Sequence, residues 1–578
     1  MTDSALKSHS CEWRDNDLDF ERNSSSDSET ITRAPFRSPV FLSVAIYCTV
    51  SVITRSRFQA DTPYYVASIL SHDGRAGFAF WDFGHLLWRP LVLVLLNVFR
   101  SVIPGLSASS ALLRLMLSVN WIAGLGCILL FARVVRRFAS SQLTILTVAT
   151  LAFSQAFLNY VHTGTAYVPG LFFLIFALER VSCKKDPVPD GWCESGILGM
   201  ALAAAVLLWF PYILALPALF LFPIIDHWLD RESGLYVLRG MIVSGTVISG
   251  AYGFVAMRLG LASLNDLCLW LDYASHSIDH IRGLSRATFG FVRSWVEMGD
   301  FGISLRRLFG SDPYAHVHGN VLVSFGTIKI VVTYVFLALI VRKLVRGVTG
   351  ERTILIFLTL TLVPVFCFGV DWQGGDMERY LGAVPAVLLG GACAMNSRPS
   401  PGLRIIGTGF LCIMILTNLS RDLRWVRDLE DRELAMRVDS LRPTPDDSYL
   451  VLFPADPLNE FIWFESIDPD YHGNRLNARW VADIGTSRVT EWRESFATNS
   501  LKAWHNHEEV WVCRGLLDSV PESRWGWIEG ADSRITWLDI YGFFSRLETS
   551  EVRGDFVRMP PTQANIKLLQ GFVERAGG

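Results

Sequence analysis

Leu86-Leu87-Trp88-Arg89-Pro90-Leu91-Val92-Leu93-Val94-Leu95-Leu96-Asn97-Val98-Phe99-Arg100-Ser101-Val102-Ile103 is an apolar stretch broken by Arg89, Pro90, Asn97 and Arg100. Its reading decides the topology of the chain around it. A helix needs about 20 apolar residues to cross a bilayer, so the stretch is ambiguous by length and polarity. If it crosses, Arg133, Arg136 and Arg137 face outside, and so do the later basic clusters. If it lies along the interface, the clusters Arg133/Arg136/Arg137, Arg180/Lys184/Lys185, Arg231/Arg239, Arg342/Lys343/Arg346/Arg352 and Arg398/Arg404 all fall inside. Cytoplasmic loops carry the excess of Lys and Arg. The outer connections near 160–166 and 210–212 carry neither. The second arrangement is the consistent one, with 86–103 as a juxtamembrane helix.

Outward from that stretch, eleven apolar segments read as spans: 39–54, 109–132, 141–160, 166–180, 195–210, 212–226, 237–257, 321–341, 354–370, 380–396 and 403–419. This parity puts the N-terminus inside and the C-terminus outside. It also puts three long segments outside: 55–108, 258–320 and 421–578. The composition agrees. Of 578 residues, 51 % are hydrophobic and only 19 % charged, against about 25 % charged in soluble domains. The expected fold is an all-α polytopic membrane protein of about eleven transmembrane helices, with a small C-terminal extracytoplasmic α/β domain. Net charge is −3, which supplies no basic field for nucleic acid. The ten cysteines include no Cys-x-x-Cys pair, so they outline no zinc site or redox motif.

Residues 1–38 are rich in Ser, Asp and Glu and poor in large aliphatics, which predicts a disordered cytoplasmic tail. Residues 39–420 form the span region. Beyond 420 the long apolar runs stop. Tyr449-Leu450-Val451-Leu452-Phe453, followed by Pro454, reads as a buried strand, and Glu509-Val510-Trp511-Val512-Cys513 as a second, with helix between them.

The first outer loop carries the sharpest chemical pattern. It reads Phe58-Gln59-Ala60-Asp61-Thr62-Pro63-Tyr64-Tyr65-Val66-Ala67, then Trp81-Asp82-Phe83-Gly84-His85-Leu86-Leu87-Trp88-Arg89-Pro90-Leu91. A carboxylate at the membrane surface can take a proton from an acceptor hydroxyl or hold a divalent ion such as magnesium or manganese. Aromatic rings offer flat faces to sugars, and Arg or His can balance a lipid-linked phosphate. Asp61 is the leading candidate for the base or metal ligand. Asp82 is either a second acid or a helix cap. His85 is a substrate contact or an interface residue, and Arg89 a phosphate contact or a snorkelling side chain.

These residues resemble the GT-C superfamily of membrane glycosyltransferases, most closely the bacterial relatives of protein mannosyltransferases and aminoarabinose transferases. That family has a short cytoplasmic N-terminus, one helix and a large outer loop. The loop holds an early Asp, often followed by Tyr and Ala, and later a His/Lys-Pro-Pro-Leu-like segment that opens a juxtamembrane helix. Asp61, Tyr65 and Ala67 match the first pattern, and His85 to Leu91 resembles the second, with Arg89-Pro90-Leu91 in place of Pro-Pro-Leu. Tyr160-Val161-His162-Thr163-Gly164-Thr165-Ala166-Tyr167-Val168-Pro169 resembles the turn between the third and fourth helices. Trp372-Gln373-Gly374-Gly375-Asp376-Met377-Glu378-Arg379-Tyr380 resembles the late outer loop.

The resemblance implies an enzyme that moves a sugar from a polyprenyl-phosphate-linked donor to a glycan, lipid or protein acceptor. The transfer would occur with inversion, outside a bacterial cytoplasmic membrane. Tyr65, His85, Arg89, His162, Tyr167, Glu378 and Arg379 are the candidate substrate contacts. Arg379 and Glu378 either bind donor phosphate or pair with each other, and His162 and Tyr167 also suit plain packing. Weaker candidates are Asp272/His276/His280 on one helix face, His316 and His318, and the pair Arg306/Arg307. Two rival functions remain at this point: a transporter or flippase of a lipid-linked glycan, and a non-catalytic scaffold for envelope assembly.

Overall fold

In the computed structural model the described residues are 38–56, 61–70, 77–102, 107–182, 192–226, 231–274, 283–298, 325–347, 349–372, 374–396, 401–439, 449–451, 479–481, 491–519, 537–554 and 556–576. Residues 1–37 of the predicted tail, His276, His280, Arg306, Arg307, His316 and His318 lie outside them, as do the last two residues of the strand predicted at 449–453.

Each stretch read as a span contains helix. In chain order these are α1 (Pro39–Ile53), α2 (Thr62–Leu70), α3 (Trp88–Val102), α4 (Ala108–Val135), α5 (Ser141–Phe153), α6 (Gln155–Val161), α7 (Tyr167–Ser182) and α8 (Trp192–Leu208). They continue as α9 (Leu216–Asp226), α10 (Arg231–Arg258), α11 (Leu264–Ala274), α12 (Leu284–Arg293), α13 (Phe325–Val345), α14 (Thr349–Asp371), α15 (Val384–Asn396), α16 (Pro401–Asp422) and α17 (Arg424–Asp439). Among the described residues, four helices are long and apolar enough to cross a membrane: α4, α10, α14 and α16. The bent pair α5–α6 would be a fifth.

The juxtamembrane stretch is an amphipathic helix. On α3, Val92 and Leu96 are buried against Ala111, Leu112 and Met116, while Val94 and Val98 lie exposed one turn apart. Arg89 and Asn97 therefore sit on different faces, which explains how two polar residues coexist in an apolar run.

The α5–α6 pair breaks by 60° at Ser154, whose backbone is extended. A break in a low-dielectric region strands backbone groups, which must find partners. Here they do. Gln155 and Ala156 donate their N–H groups to the carbonyls of Trp295 and Ser294, at the end of α12. The fully buried Asn418 of α16 donates to the carbonyls of Phe153 (2.6 Å) and Trp295 (2.7 Å) and accepts from the N–H of Glu297. This bend sets the direction of α6, which carries Asn159 and Tyr160.

Helices α8 and α10 pack through glycine. A Cβ on Gly199 would lie 2.7 Å from the Gly240 carbonyl oxygen, so the backbones approach as small-residue interfaces in bilayers allow.

A second core forms from Leu434 of α17 and the residues that follow it. Strands β1 (Tyr449–Val451), β2 (Arg479–Val481), β3 (Val510–Cys513), β4 (Val552–Arg553) and β5 (Phe556–Met559) make one sheet in the order β2-β1-β3-β5-β4. β1 pairs parallel with β2 and β3, whereas β5 pairs antiparallel with β3 and β4. Helices α18 (Glu491–His505), α19 (Trp537–Phe544) and α20 (Gln563–Ala576) cover it, packing Phe496, Phe543, Phe544 and Leu569 around Trp511. The two strands and intervening helix expected from sequence are present. The antiparallel flank was missed, because β4 and β5 are short and carry Arg553 and Arg558.

Candidate active site

Asp61 occupies the turn that opens α2, with Pro63 in the first turn, where its missing N–H costs nothing. The Tyr65 N–H bonds back to the Asp61 carbonyl at 3.0 Å. One helical turn brings the Tyr65 hydroxyl to Asp61 Oδ2 (3.3 Å), and Tyr167, at the start of α7, donates to the same oxygen (3.1 Å). Burial pushes the Tyr65 phenol well above its ordinary value, so it is a donor at neutral pH. Two phenols thus aim a half-buried carboxylate.

The loop is clasped to the turn between α6 and α7. The Gly164 N–H donates to Thr62 Oγ1 (2.8 Å), and Trp88 Nε1 donates to the Gly164 carbonyl (3.0 Å). Only glycine fits there, since a Cβ would meet Thr62 Cγ2 at 2.8 Å.

His85 ends a short 3-10 turn, Phe83–His85, that starts at Asp82. Its ring stacks on Trp209 (4.7 Å between centroids, 14°) and meets the edges of Tyr65 and Tyr167 at 5.6 and 5.3 Å. Nδ1 lies 3.1 Å from the Leu208 carbonyl, so it is the protonated nitrogen. Burial pulls the His85 pKa down to about 4, and the ring is neutral at pH 7.

Trp209 also bears Arg379 on its ring. The Arg379 guanidinium lies 5.1 Å from Trp209, 4.8 Å from Trp372 and 6.0 Å from Phe368. Its neighbour Glu378 accepts from the Tyr160 hydroxyl (2.5 Å) and lies 3.9 Å from Arg379 Nε. Tyr160 packs edge-on against Tyr167 at 4.7 Å, and Tyr167 against Trp209 at 4.7 Å. One unbroken set of contacts therefore runs Asp61–Tyr167–Trp209–Arg379–Glu378–Tyr160, with His85 against Tyr167 and Trp209. It is assembled from α2, α6, α7, α14, the end of α8 and the turn Met377–Tyr380.

Glu378 is mostly buried, with its side chain 12 % exposed, and sits beside Asp376; burial and that neighbour push its pKa up to about 7 from an ordinary 4.5 against the pull of Arg379 and Tyr160. A carboxyl with a raised folded pKa binds its proton more tightly folded than unfolded, so stability falls as pH rises from about 4.5 to 7. Glu378→Gln should flatten that slope in thermal unfolding measured across this window.

Three sequence candidates have partners of their own. Asp82, read as a second acid or a helix cap, is 3 % exposed. Its Oδ1 accepts from the Gly84 N–H (2.7 Å), and its Oδ2 lies 3.3 Å from both Arg89 terminal nitrogens. Arg89, read as a phosphate contact or a snorkelling side chain, is 0 % exposed, bonded through Nε to Ser68 Oγ (3.0 Å) and covered by the Tyr65 ring at 4.5 Å. The two form a buried pair. Removing one partner of a buried pair costs about 3–5 kcal/mol, so Arg89→Leu should lower the thermal midpoint in detergent far more than any exposed arginine change. His162, the third, turns away from the cluster. Its Nδ1 bonds the Leu158 carbonyl (2.8 Å), and its electrostatic neighbours are Arg55 and Arg424.

Trp209, Phe368 and Tyr160 were not picked out from sequence. Trp209 stands at a connection between helices without Lys or Arg, a weak signal that aromatic enrichment at such ends could have strengthened.

A divalent ion at Asp61 would need several more oxygen donors. Among the described residues no three His, Cys, Asp or Glu side chains converge, and Oδ2 of Asp61 already accepts from two phenols. The described donor set is a single carboxylate and does not fit such an ion, so no step below runs through one.

No family model and no curated protein matches the sequence. Solved structures do. ArnT from Cupriavidus metallidurans in the apo state matches at 10 % identity over 92 % of this chain and 98 % of that one, with a TM-score of 0.49. ArnT bound to undecaprenyl phosphate matches at 11 % identity, 91 % and 98 % coverage and a TM-score of 0.45. The archaeal oligosaccharyltransferase AglB from Archaeoglobus fulgidus, in complex with an inhibitory peptide and a dolichol-phosphate, matches at 12 % identity, 91 % and 74 % coverage and a TM-score of 0.45. No residue role, donor or acceptor is carried across from these structures.

Proposed function

We propose that this chain is a membrane glycosyltransferase. It transfers a sugar from a polyprenyl-phosphate-linked donor to a hydroxyl of a glycan, lipid or protein acceptor on the extracytoplasmic face. The reading rests on one observation: an aimed carboxylate, Asp61, and an arginine held between two indoles, Arg379, belong to the same contact cluster where helix ends meet. In this reading the eleven helical segments cross a bacterial cytoplasmic membrane with the N-terminus inside. The chain divides near residue 420, leaving the C-terminal α/β domain outside.

The chemistry follows from the groups present. The acceptor hydroxyl gives its proton to Asp61 as its oxygen forms a bond to the anomeric carbon. The bond from that carbon to the phosphate oxygen breaks, and the polyprenyl phosphate leaves with the electron pair, so the anomeric centre inverts. Arg379 offsets the charge on the departing phosphate. Tyr65 and Tyr167 orient Asp61. Neutral His85 serves as an apolar face and carries no charge in the step.

The test is reconstitution of the full chain in liposomes with polyprenyl-phosphate sugars labelled on the sugar. Covalent transfer of label to an acceptor, lost in Asp61→Asn, supports the reading. Movement of labelled lipid across the bilayer without covalent transfer overturns it in favour of a transporter.

A further inference from the structure

The strap Thr54–Ser56 that follows α1 is fastened to the helix that carries the C-terminal domain. Thr54 pairs antiparallel with Leu423, and the Arg55 N–H donates to the Asp422 carbonyl (2.9 Å). The Arg55 guanidinium forks onto two acids of α17, with Nη1 3.0 Å from Asp428 Oδ1 and Nη2 3.0 Å from Asp431 Oδ2. Spacing i, i+3 puts the two acids on one helix face. Three residues further, Leu434 is buried in the C-terminal core with Phe496, Trp511 and Phe544. The hinge between α16 and α17 is itself tied, since Arg427 pairs with the buried Asp422 and with Glu430. Next along the strap, Ser56 Oγ donates to Asn159 Oδ1 (2.6 Å), and Asn159 Nδ2 lies 3.5 Å from Met377 Sδ. Asn159 adjoins Tyr160, and Met377 adjoins Glu378.

We propose that Arg55 is a positioning residue that couples the C-terminal domain to the acid-bearing loop, so that the placement of α17 sets the placement of Asp61. This rests on the reading of Asp61 given above. The two acids differ in exposure: the Asp428 side chain is 43 % exposed and the Asp431 side chain 11 %. The exposed pair adds little to stability, whereas loss of the enclosed one lowers the thermal midpoint, so a merely structural role predicts a lower midpoint with no change in kcat of the folded protein. A positioning role predicts a large one, because a displacement of about 1 Å at a reacting group can cost roughly 100-fold in rate.

The experiment compares Arg55→Asp, Arg55→Lys and the charge swap Arg55→Asp with Asp428→Arg and Asp431→Arg in the reconstituted full chain. It measures kcat and donor KM for transfer, the thermal midpoint, and deuterium uptake by peptides covering residues 54–70. Arg55→Asp should lower kcat roughly 10- to 100-fold in protein assayed well below its lowered thermal midpoint, raise deuterium uptake, and leave the donor KM unchanged. Arg55→Lys, which loses the fork, should fall between, and the swap should recover most of both readouts. The coupling is overturned if uptake and kcat do not move in Arg55→Asp, if uptake rises while kcat stays constant, or if the swap rescues neither. Should Asp61→Asn transfer normally, the assignment of Asp61 fails. The uptake measurements still decide whether Arg55 and α17 hold the strap.

Discussion

Asp61→Asn is expected to reduce sugar transfer by about 100- to 10,000-fold, the range that a positioned general base contributes, with membrane insertion and thermal midpoint close to those of the parent. The substitution is nearly isosteric. Its amide oxygen can still accept from Tyr65 and Tyr167, so the two hydrogen bonds at 3.3 and 3.1 Å need not be lost. What disappears is the ability to take a proton from the acceptor. Tyr167→Phe makes the complementary change. It keeps the base and most of the ring packing against Tyr160, His85 and Trp209, but removes one of the two donors that aim the carboxylate. Its loss should be smaller, roughly 10-fold, in line with misdirection of a group that is still present. Full transfer by Asp61→Asn in inserted protein would remove Asp61 from the chemistry.

What sequence could reveal of this site follows from how local each interaction is. Asp61 and Tyr65 lie one helical turn apart on α2, so their pairing is written in a short segment. The basic clusters that order the span region are also local signals, and helix is found in every stretch they organise. Arg89 and Asp82 are different. Seven residues apart, Asp82 before the 3-10 turn and Arg89 in the first turn of α3, they read equally well as substrate groups or as structural ones, and sequence alone does not show that they pair and are buried, at 3 % and 0 % exposed. Trp209 is further still from legibility. Its importance comes from His85, Tyr167 and Arg379, supplied by three segments far apart in the chain, and no pattern near residue 209 announces them. The bend at Ser154 has the same character. Nothing in its sequence predicts that Trp295, Ser294 and Asn418 wait to take up the freed backbone groups.

Arg379 should show the second large effect, and in a different constant. Arg379→Ala is expected to lower kcat/KM for the lipid-linked donor by roughly 100- to 1,000-fold, the cost of removing one group that stabilises developing charge, about 3–4 kcal/mol. Much of that loss should appear as a raised donor KM, because the donor's phosphate meets the same charge before reaction and during it. Glu378 lies 3.9 Å from Arg379 Nε, accepts from Tyr160 and is driven toward its neutral form by burial and by Asp376. Trp209 and Trp372, at 5.1 and 4.8 Å, stabilise a flat cation through their ring faces without neutralising it. A planar guanidinium can lie between two indoles and still offer N–H groups at its edge, whereas an ammonium is a compact, strongly hydrated point charge. Arg379→Lys should therefore recover little of the donor affinity despite keeping the charge, and Trp372→Leu should raise the donor KM by a smaller factor while leaving Asp61 untouched. An unchanged donor KM and kcat/KM in Arg379→Ala, in protein that inserts normally, would place the phosphate elsewhere and leave the indole-held arginine as a packing element of the outer helix ends.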